Sequence, residues 1–353
     1  MSLVVETELN LSIHITVDMR SHHSHSGDYV AHGVDPLDDI TARAIEMGFQ
    51  TYCLTEHMPR IHKKFLYPEE MIDEFGTIMS LDTLQCNFID FMDHAEEIKD
   101  RAKSNGCGTK FIIGSEIEGC DETHIKYAKE LMDKYNSVLK FAVGSVHHVN
   151  EHPIDFDQAS WIQALESSNN NIRKFLEDYY NLQYKMLTSV QPLVVGHFDI
   201  YKFYLPNDLK INKDNGAVVQ DEDADGVLEK DIILELQWDS VKSLIVRNLE
   251  FIKSYGGLIE INTSGLRKKL PEPYPGNAIC KLVKEHCDSR FVLSDDAHAV
   301  SQVGAFYKEV KKYITKTAKL DKLYYLEESD DGELSVKSES TDELFQNKFW
   351  LNL

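Results

Sequence analysis

Nine side chains of the kinds that bind metal ions occur at the ends of short apolar runs spread over most of this chain. They are His23, His25, His32, His57, Glu116, His147, His197, Asp296 and His298. Because side chains alternate across a β-strand, the two ligands of each His-x-His or Asp-x-His motif point to one side. Their repetition at strand ends predicts a bound cluster of divalent metals, and such clusters support hydrolytic chemistry.

The ligand types restrict which metals would fit. Imidazole and carboxylate without thiolate suit zinc, iron or manganese. Nine ligands are too many for one ion with an open position, but they suit three ions that share a carboxylate. Glu116 and Glu118 lie on one face of an apolar run, where a carboxylate is costly unless it is paired or metal-bound. We take Glu116 as the bridging ligand, with Glu118 as the alternative.

Basic residues are scarce near these motifs. Lys202 lies five positions after His197, and Arg267 follows the stretch Asn262-Thr-Ser-Gly265. A guanidinium beside hydroxyl groups suits a phosphate. We therefore predict Lys202, Arg267 and Ser264 as phosphate-binding residues, with a solvated surface charge as the other reading of either basic residue alone. Walker-type, dinucleotide-binding and Gly-x-Ser-x-Gly motifs are absent from the sequence.

Strand-like and helix-like segments alternate along the chain. The predicted strands are 15–21, 51–56, 110–117, 140–146, 192–198, 257–262 and 290–294, and the predicted helices are 36–48, 121–136, 171–188, 237–255 and 276–287. Such alternation favours a parallel sheet. Seven strands with chemistry at each carboxyl end predict an α/β fold of distorted (β/α)7 barrel type, because an open sheet would concentrate its site at one switch point.

Several segments lie outside this repeat. Residues 69–108 are interpreted as an insertion that, with loops, covers the barrel mouth. The acidic loop 220–226 is expected to be mobile and solvated. Residues 327–340 are polar, and the segment 345–350 is expected to hold the tail down. Residues 1–18 are interpreted as an N-terminal extension, with 11–17 as a possible edge strand, and 19–353 as a single domain.

The totals restrict the partners. The chain has 353 residues, 42% of them hydrophobic, and 37 basic against 59 acidic residues give a net charge of -22. This charge disfavours nucleic acid and anionic membranes, whereas local metals still allow a small phosphate ester. Neither a membrane span nor a signal peptide is expected. Six cysteines without a C-x-x-C pair are expected to be reduced in the cytoplasm. The oligomeric state stays open.

Together the motifs resemble a known family. The segments 22–29, 52–57, 144–149, 196–199, 260–264 and 293–298 are similar to the PHP (polymerase and histidinol phosphatase) superfamily, most of all to the fungal histidinol-phosphate phosphatases. The resemblance runs from about residue 19 to the C-terminus. It implies a distorted (β/α)7 barrel with three divalent metal ions.

The resemblance also implies three ligand sets. They are His23, His25, Glu116 and Asp296; His32, His57 and His298; and Glu116, His147 and His197. His57, Glu116, His147 and Asp296 are the expected catalytic residues, and the implied reaction is hydrolysis of L-histidinol phosphate in histidine biosynthesis. The alternatives are a PHP-type enzyme acting on another small phosphate ester or on nucleic acid, and a metal-binding regulatory protein.

Overall fold

The structure is a computed structural model that describes residues 19–71, 77–219 and 226–352. The predictions for residues 1–18, and for all but the last residue of the acidic loop 220–226, lie outside the described residues. The division of the chain at residue 19 therefore stays a prediction. Within the described ranges, no helix is long and apolar enough to cross a membrane.

A nine-stranded sheet forms the centre of the molecule, in the order β1-β2-β3-β4-β7-β10-β11-β12-β13. Its neighbours pair in parallel except for β12 and β13, which pair antiparallel. The strands are β1 (Arg20–Ser21), β2 (Thr51–Leu54), β3 (Lys110–Glu118), β4 (Phe141–Ser145), β5 (His148–Val149), β6 (His152–Pro153), β7 (Val194–Val195), β8 (Lys210–Asn212), β9 (Gly226–Leu228), β10 (Leu258–Asn262), β11 (Phe291–Ser294), β12 (Lys322–Glu328) and β13 (Leu334–Ser340).

Helices connect most of the parallel strands and pack on the sheet. They are α1 (Leu37–Met47), α2 (Thr77–Ser104), α3 (Glu122–Lys134), α4 (Gln158–Ser167), α5 (Ile172–Val190), α6 (Leu234–Gln237), α7 (Asp239–Tyr255), α8 (Ser264–Arg267), α9 (Asn277–His286), α10 (Tyr307–Lys312), α11 (Thr341–Leu344) and α12 (Lys348–Asn352). The sheet and these helices enclose one main apolar core that extends from Met19 to Trp350.

The predicted mostly parallel α/β architecture is confirmed, and each of the seven predicted strands overlaps an observed strand. The two ends of the seven-stranded part meet just beyond β1 and β11, where Ser24 forms an isolated parallel bridge with Ala297. Here the His25 amide donates to the Ala297 carbonyl at 2.8 Å. In the described part of the chain, however, no continuous ladder closes the sheet, so the barrel is joined at its carboxyl rim only.

The segment predicted to cover the mouth divides into two parts. Helix α2 buries Phe91, Ala95 and Ile98 in the main core and packs against β3, so it is the crossover helix between β2 and β3. The loop before it lines the mouth through Tyr67 and Glu69. In the part of this segment that the structure describes, the residues before the helix therefore line the mouth, and the helix does not.

The polar C-terminal segment is ordered and extends the sheet, which the sequence analysis did not predict. Strand β12 pairs with β11, and β13 returns antiparallel along its whole length. The polar residues on the outer face of these strands obscure the hydrophobic alternation by which strands are recognised in a sequence. The predicted anchoring of the tail agrees with the structure, because the Trp350 ring is buried and stacks on Tyr307 with centroids 5.5 Å apart.

His22 has a structural role beside the predicted ligand His23. Its Nδ1 donates to the Leu293 carbonyl at 2.8 Å, and its Nε2 accepts from the Leu326 amide at 3.1 Å. The ring is therefore neutral and links β1 to β11 and β12. Burial lowers the pKa of His22 to about 4.

We predict that His22 makes the protein less stable in acid. Its folded-state pKa of about 4 lies below the ordinary value of 6.5, so the unfolded chain binds the proton more readily. The stability advantage of the wild type over His22→Gln should fall by roughly 3 kcal/mol as the pH drops from about 6.5 to 4. Denaturant unfolding of both proteins across this range measures it. His286→Gln, at the surface, is the control, and a pH-independent difference for His22→Gln would contradict the prediction.

Candidate metal centre

The carboxyl ends of the parallel strands bring all nine predicted ligands together. His23 and His25 follow β1, His32 lies in the loop before α1, His57 follows β2, Glu116 lies in β3, His147 follows β4, His197 follows β7, and Asp296 and His298 follow β11. Parallel strands end at one edge of a sheet, which explains how residues so distant in sequence become neighbours. The nine predicted ligands form three groups.

The first group contains His23, His25 and Asp296, with one oxygen of Glu116. The Nε2 atoms of the two histidines lie 2.9 Å apart. Glu116 Oε2 is 3.3 Å from each of them, and Asp296 Oδ1 is 3.8 and 3.7 Å away. Asp296 has a φ of 50°, a conformation that side-chain-bearing residues rarely adopt, and such strain is common at functional sites.

The second group contains Glu116, His147 and His197. Glu116 Oε1 lies 2.9 Å from His197 Nε2 and 3.6 Å from His147 Nε2, and the two Nε2 atoms are 3.2 Å apart. The two oxygens of the Glu116 carboxylate therefore face different groups. This is the geometry required of a bridging ligand, and it favours Glu116 over Glu118 for that role.

The third group contains His32, His57 and His298. The Nε2 atoms of His32 and His298 are 3.1 Å apart, and the His57 ring lies 5.3 Å from that of His32. His57 and His298 also form a possible metal-binding set with His25, whose ring stacks on His57 at 4.3 Å. The third group thus adjoins the first, and His25 lies between them.

The spacing of the ligand atoms fits bound cations. Two nitrogens held at about 2.05 Å by one tetrahedral zinc ion lie roughly 3.3 Å apart. The three Nε2 pairs are separated by 2.9, 3.2 and 3.1 Å, close to this value. Within the described residues, three sets at this rim have ligand atoms that all lie within 4.8 Å of one another: His23, His25 and Asp296; Glu116, His147 and His197; and His25, His57 and His298.

The tautomers of the histidines also favour bound cations. His23 Nδ1 lies 2.9 Å from Glu260 Oε1, His147 Nδ1 lies 2.9 Å from Glu118 Oε2, and His298 Nδ1 lies 3.0 Å from the Asp296 carbonyl. These partners only accept, so each Nδ1 carries the hydrogen and each Nε2 presents a lone pair. These three lone pairs face the rim, where they are suited to binding a cation.

The close pairing of carboxylates with imidazoles shifts the pKa values of the rim residues. Burial alone would raise the pKa of the Glu116 carboxyl, but nearby His23 and His57 hold it well below its usual range. Burial would lower the pKa of His57, yet the Glu116 carboxylate raises it to about 10. His147 behaves similarly beside Glu118, with a pKa of about 9. Without cations His57 and His147 retain protons that metal ions would replace, whereas burial lowers the pKa of His32 and His298.

A cavity of about 370 Å³ opens above the cluster, and it contains only part of the predicted phosphate site. Arg267 lines it, and its two Nη atoms donate to the carbonyls of Asp295 and Asp296 at 3.1 and 2.8 Å. These bonds fix the guanidinium, whose remaining N–H groups can reach a phosphate.

Lys202 and Ser264, the other predicted phosphate-binding residues, are not among the residues that line this cavity. Lys202 pairs with Asp199 at 2.7 Å and with Glu235, and it borders a different cavity. The 3-10 turn Ile200–Lys202 directs the ammonium toward α6, which sequence distance from His197 could not reveal. The Ser264 hydroxyl is fully buried and has no hydrogen-bond partner among the described residues.

Several cavity residues were missed by sequence reasoning because they lie in loops without periodicity. Lys268 follows Arg267 at the end of α8, and its ammonium lies 4.8 Å from the Phe203 ring centroid. Arg60 is buried, lies 3.4 Å from Glu118 and covers the Tyr67 ring at 4.6 Å. Glu69, Asp155 and Phe156 also line the cavity and were missed. The only signal was the polarity of Arg60 and Asp155 next to strand ends.

A mostly parallel sheet with a His, Asp and Glu cluster at its carboxyl rim defines a metal-binding α/β protein of barrel type. The PHP domain family matches residues 21–264. Over 338 residues the chain is 53% identical to the histidinol-phosphatase of Saccharomyces cerevisiae, covering 95% of this chain and 100% of that protein. The chain therefore belongs to the PHP domain family, as its motifs predicted.

Two further comparisons agree. The chain is 34% identical over 329 residues to the Schizosaccharomyces pombe protein named probable histidinol-phosphatase, covering 93% of this chain and 96% of that one. The crystal structure of hisK from Listeria monocytogenes superposes with a TM-score of 0.55 at 18% identity, covering 82% of this chain and 99% of that one. At this identity the match supports the fold alone.

We predict that Glu116→Gln removes more metal than any other single carboxylate change at the rim. An amide cannot offer an anionic oxygen to each of two ligand groups. The affinity for metal should therefore fall by more than about 100-fold, which exceeds the effect of changing a residue that contacts a ligand but not the metal. Metal analysis of protein reconstituted in parallel measures it, with Glu56→Gln as the comparison for a buried carboxylate that lies 3.5 Å from His25 Nδ1 and outside the three groups. A larger loss from Glu118→Gln would transfer the bridging role to Glu118.

Proposed function

We propose that this chain is a metal-dependent phosphomonoesterase that hydrolyses L-histidinol phosphate to L-histidinol and phosphate, a step of histidine biosynthesis. The observation that carries the proposal is the cluster of nine imidazole and carboxylate side chains at one rim, seven of which line a cavity that also contains Arg267 and Lys268. The substrate is inferred from the yeast relative, which is 53% identical over nearly the whole chain and is named histidinol-phosphatase.

Three divalent cations are proposed, one for each ligand group. The donor set of imidazoles and carboxylates, with no thiolate in the three groups, suits zinc, iron or manganese. When bound, the cations would supply Lewis-acid charge to the phosphoryl oxygens and lower the pKa of water. Their number and identity belong to the proposal.

The side chains of the cavity would position the phosphate. Arg267 is held by two backbone carbonyls and would donate its remaining N–H groups to phosphate oxygens, with Lys268 beside it. Both charges offset the negative charge that develops in the transition state. The predicted catalytic residues His57, Glu116, His147 and Asp296 would act mainly by holding the cations in fixed positions.

Outer residues keep this array rigid. Glu260 accepts from His23 Nδ1 and also from the His197 amide at 2.8 Å, so one carboxylate orients ligands of two groups. The Asn262 amide donates to Glu260 and, at 3.2 Å, to Asp296. Fixed ligands reduce the reorganisation needed during the reaction, which is the main contribution of a preorganised site.

We predict that the metal-replete protein releases phosphate from L-histidinol phosphate with a higher kcat/KM than from other phosphomonoesters, and shows little activity toward a phosphodiester or nucleic acid. The net charge of -22 disfavours polyanions. A phosphate-release assay across this panel tests the proposal. A preference for another monoester would leave the assignment as a phosphomonoesterase intact but would show that L-histidinol phosphate is not the substrate.

We predict that Arg267→Ala lowers kcat/KM by about 100- to 1000-fold, because it removes a preorganised donor from the transition state. Lys202→Met is the matched comparison, since Lys202 borders a different cavity. It should leave KM within a few-fold and instead lower the unfolding free energy by about 3–5 kcal/mol, because Asp199 and Glu235 lose their buried partner. A rise in KM for Lys202→Met as large as the rise for Arg267→Ala would indicate that Lys202 binds the phosphate.

A further inference from the structure

The loop after β4 places a carboxylate beside the metal cluster. Strands β5 and β6 form a short hairpin, after which the Ile154 amide donates to the His147 carbonyl at 2.9 Å. The chain thus returns to the end of β4, and the next residue, Asp155, lies at the rim. Its Oδ2 is 3.9 Å from His147 Nε2.

Asp155 differs from Glu116, Glu118 and Asp296, the buried carboxylates of the cavity. Glu116 and Asp296 face imidazoles, and Glu118 is engaged by His147 and Arg60. Asp155 accepts one hydrogen bond, from the Tyr67 hydroxyl to Oδ1 at 3.1 Å, and no lysine or arginine among the described residues pairs with it. Its side chain is 20% exposed and lines the cavity. It therefore presents negative charge where a cationic group of a ligand could bind.

An aromatic surface adjoins this carboxylate. Phe156 is 36% exposed although it lies on the cavity wall, and its ring stacks on Tyr67 with centroids 5.4 Å apart and planes at 23°. An exposed aromatic ring supported from behind is suited to stacking with a flat ring of a ligand. Asp155 and Phe156 thus offer two adjacent contacts, one for a cation and one for a ring.

The basic residues of the cavity lie beside other strand ends. Arg267 bonds the backbone of Asp295 and Asp296 after β11, whereas Asp155 adjoins His147 after β4. A ligand with its phosphate near Arg267 could therefore direct a cationic group toward Asp155. In an amino-alcohol phosphate the amine is carried by the carbon next to the esterified one, so it must lie close to the cluster.

We propose that Asp155 binds the ammonium group of an amino-alcohol phosphate, that Tyr67 is a positioning residue for Asp155, and that Phe156 receives the heteroaromatic ring. This inference rests on the proposed function and assigns the residues that select its substrate. The competing role for Asp155, direct binding of a metal, is suggested by its distance from His147 and is an outcome of the test.

The experiment compares L-histidinol phosphate with imidazolylpropyl phosphate, which lacks the amine. The measured quantity is kcat/KM for L-histidinol phosphate divided by kcat/KM for imidazolylpropyl phosphate. In Asp155→Asn this ratio should fall by about 10- to 100-fold, mainly through KM for the amine-bearing substrate, because a charge-assisted hydrogen bond is lost. Tyr67→Phe should lower the ratio by a few-fold with kcat unchanged, and this variant also tests the inference if Asp155→Asn does not fold.

Two acidic residues provide matched controls. Glu151 is exposed in the turn between β5 and β6, and Glu69 is exposed at the edge of the cavity. Glu151→Gln should leave the ratio unchanged. A fall in the ratio with Glu69→Gln that exceeds the fall with Asp155→Asn would overturn the assignment to Asp155.

The remaining outcomes separate this inference from the proposed function. If Asp155→Asn loses metal and activity toward both substrates equally, Asp155 is a ligand and the inference is wrong. If the wild type hydrolyses L-histidinol phosphate but the ratio is unchanged in Asp155→Asn, the inference alone fails. A wild type that does not hydrolyse L-histidinol phosphate overturns both.

Discussion

The structure depends on one buried carboxylate. Glu116 lies in β3, 1% exposed, with an isolated bridge to His57 on one side and pairing with Val143 of β4 on the other. A carboxylate in this position is stable only with opposite charge close by. Because side chains alternate, a slip of β3 by one residue would turn Glu116 to the opposite face of the sheet. The register of the central strands and the charge of the rim therefore determine each other.

The surroundings of Glu116 explain why the cluster is both acidic and rich in histidine. Imidazoles supply the opposite charge as protons in the metal-free state and offer lone pairs to cations when the protons leave. The carboxylates behind them, Glu260 and Glu118, fix which nitrogen carries the hydrogen. Each such pair favours cation binding at Nε2, so the outer carboxylates contribute to metal affinity without touching a metal.

The sequence located the strands and the side chains of the rim cluster better than it located the loop residues, for a physical reason. A predicted ligand such as His57 or His197 follows an apolar strand, so its position along the chain also gives its position in space. Lys202 follows a 3-10 turn, and its direction depends on Glu235 in α6, far along the chain. Strands β12 and β13 escaped prediction because β13 alternates weakly and is polar on its outer face.

The division between strands and loops also separates two kinds of recognition. Strand ends hold the groups that any phosphate ester requires, and their geometry is fixed by the hydrogen bonds of the sheet. The carboxylate and aromatic ring at Asp155 and Phe156 instead lie on a loop that returns to the rim at the backbone bond from Ile154 to His147. Such a loop can change its side chains without disturbing the ligands, because its own packing does not set the register of β4. Selection among substrates therefore falls to the part of the cavity that the metal cluster constrains least.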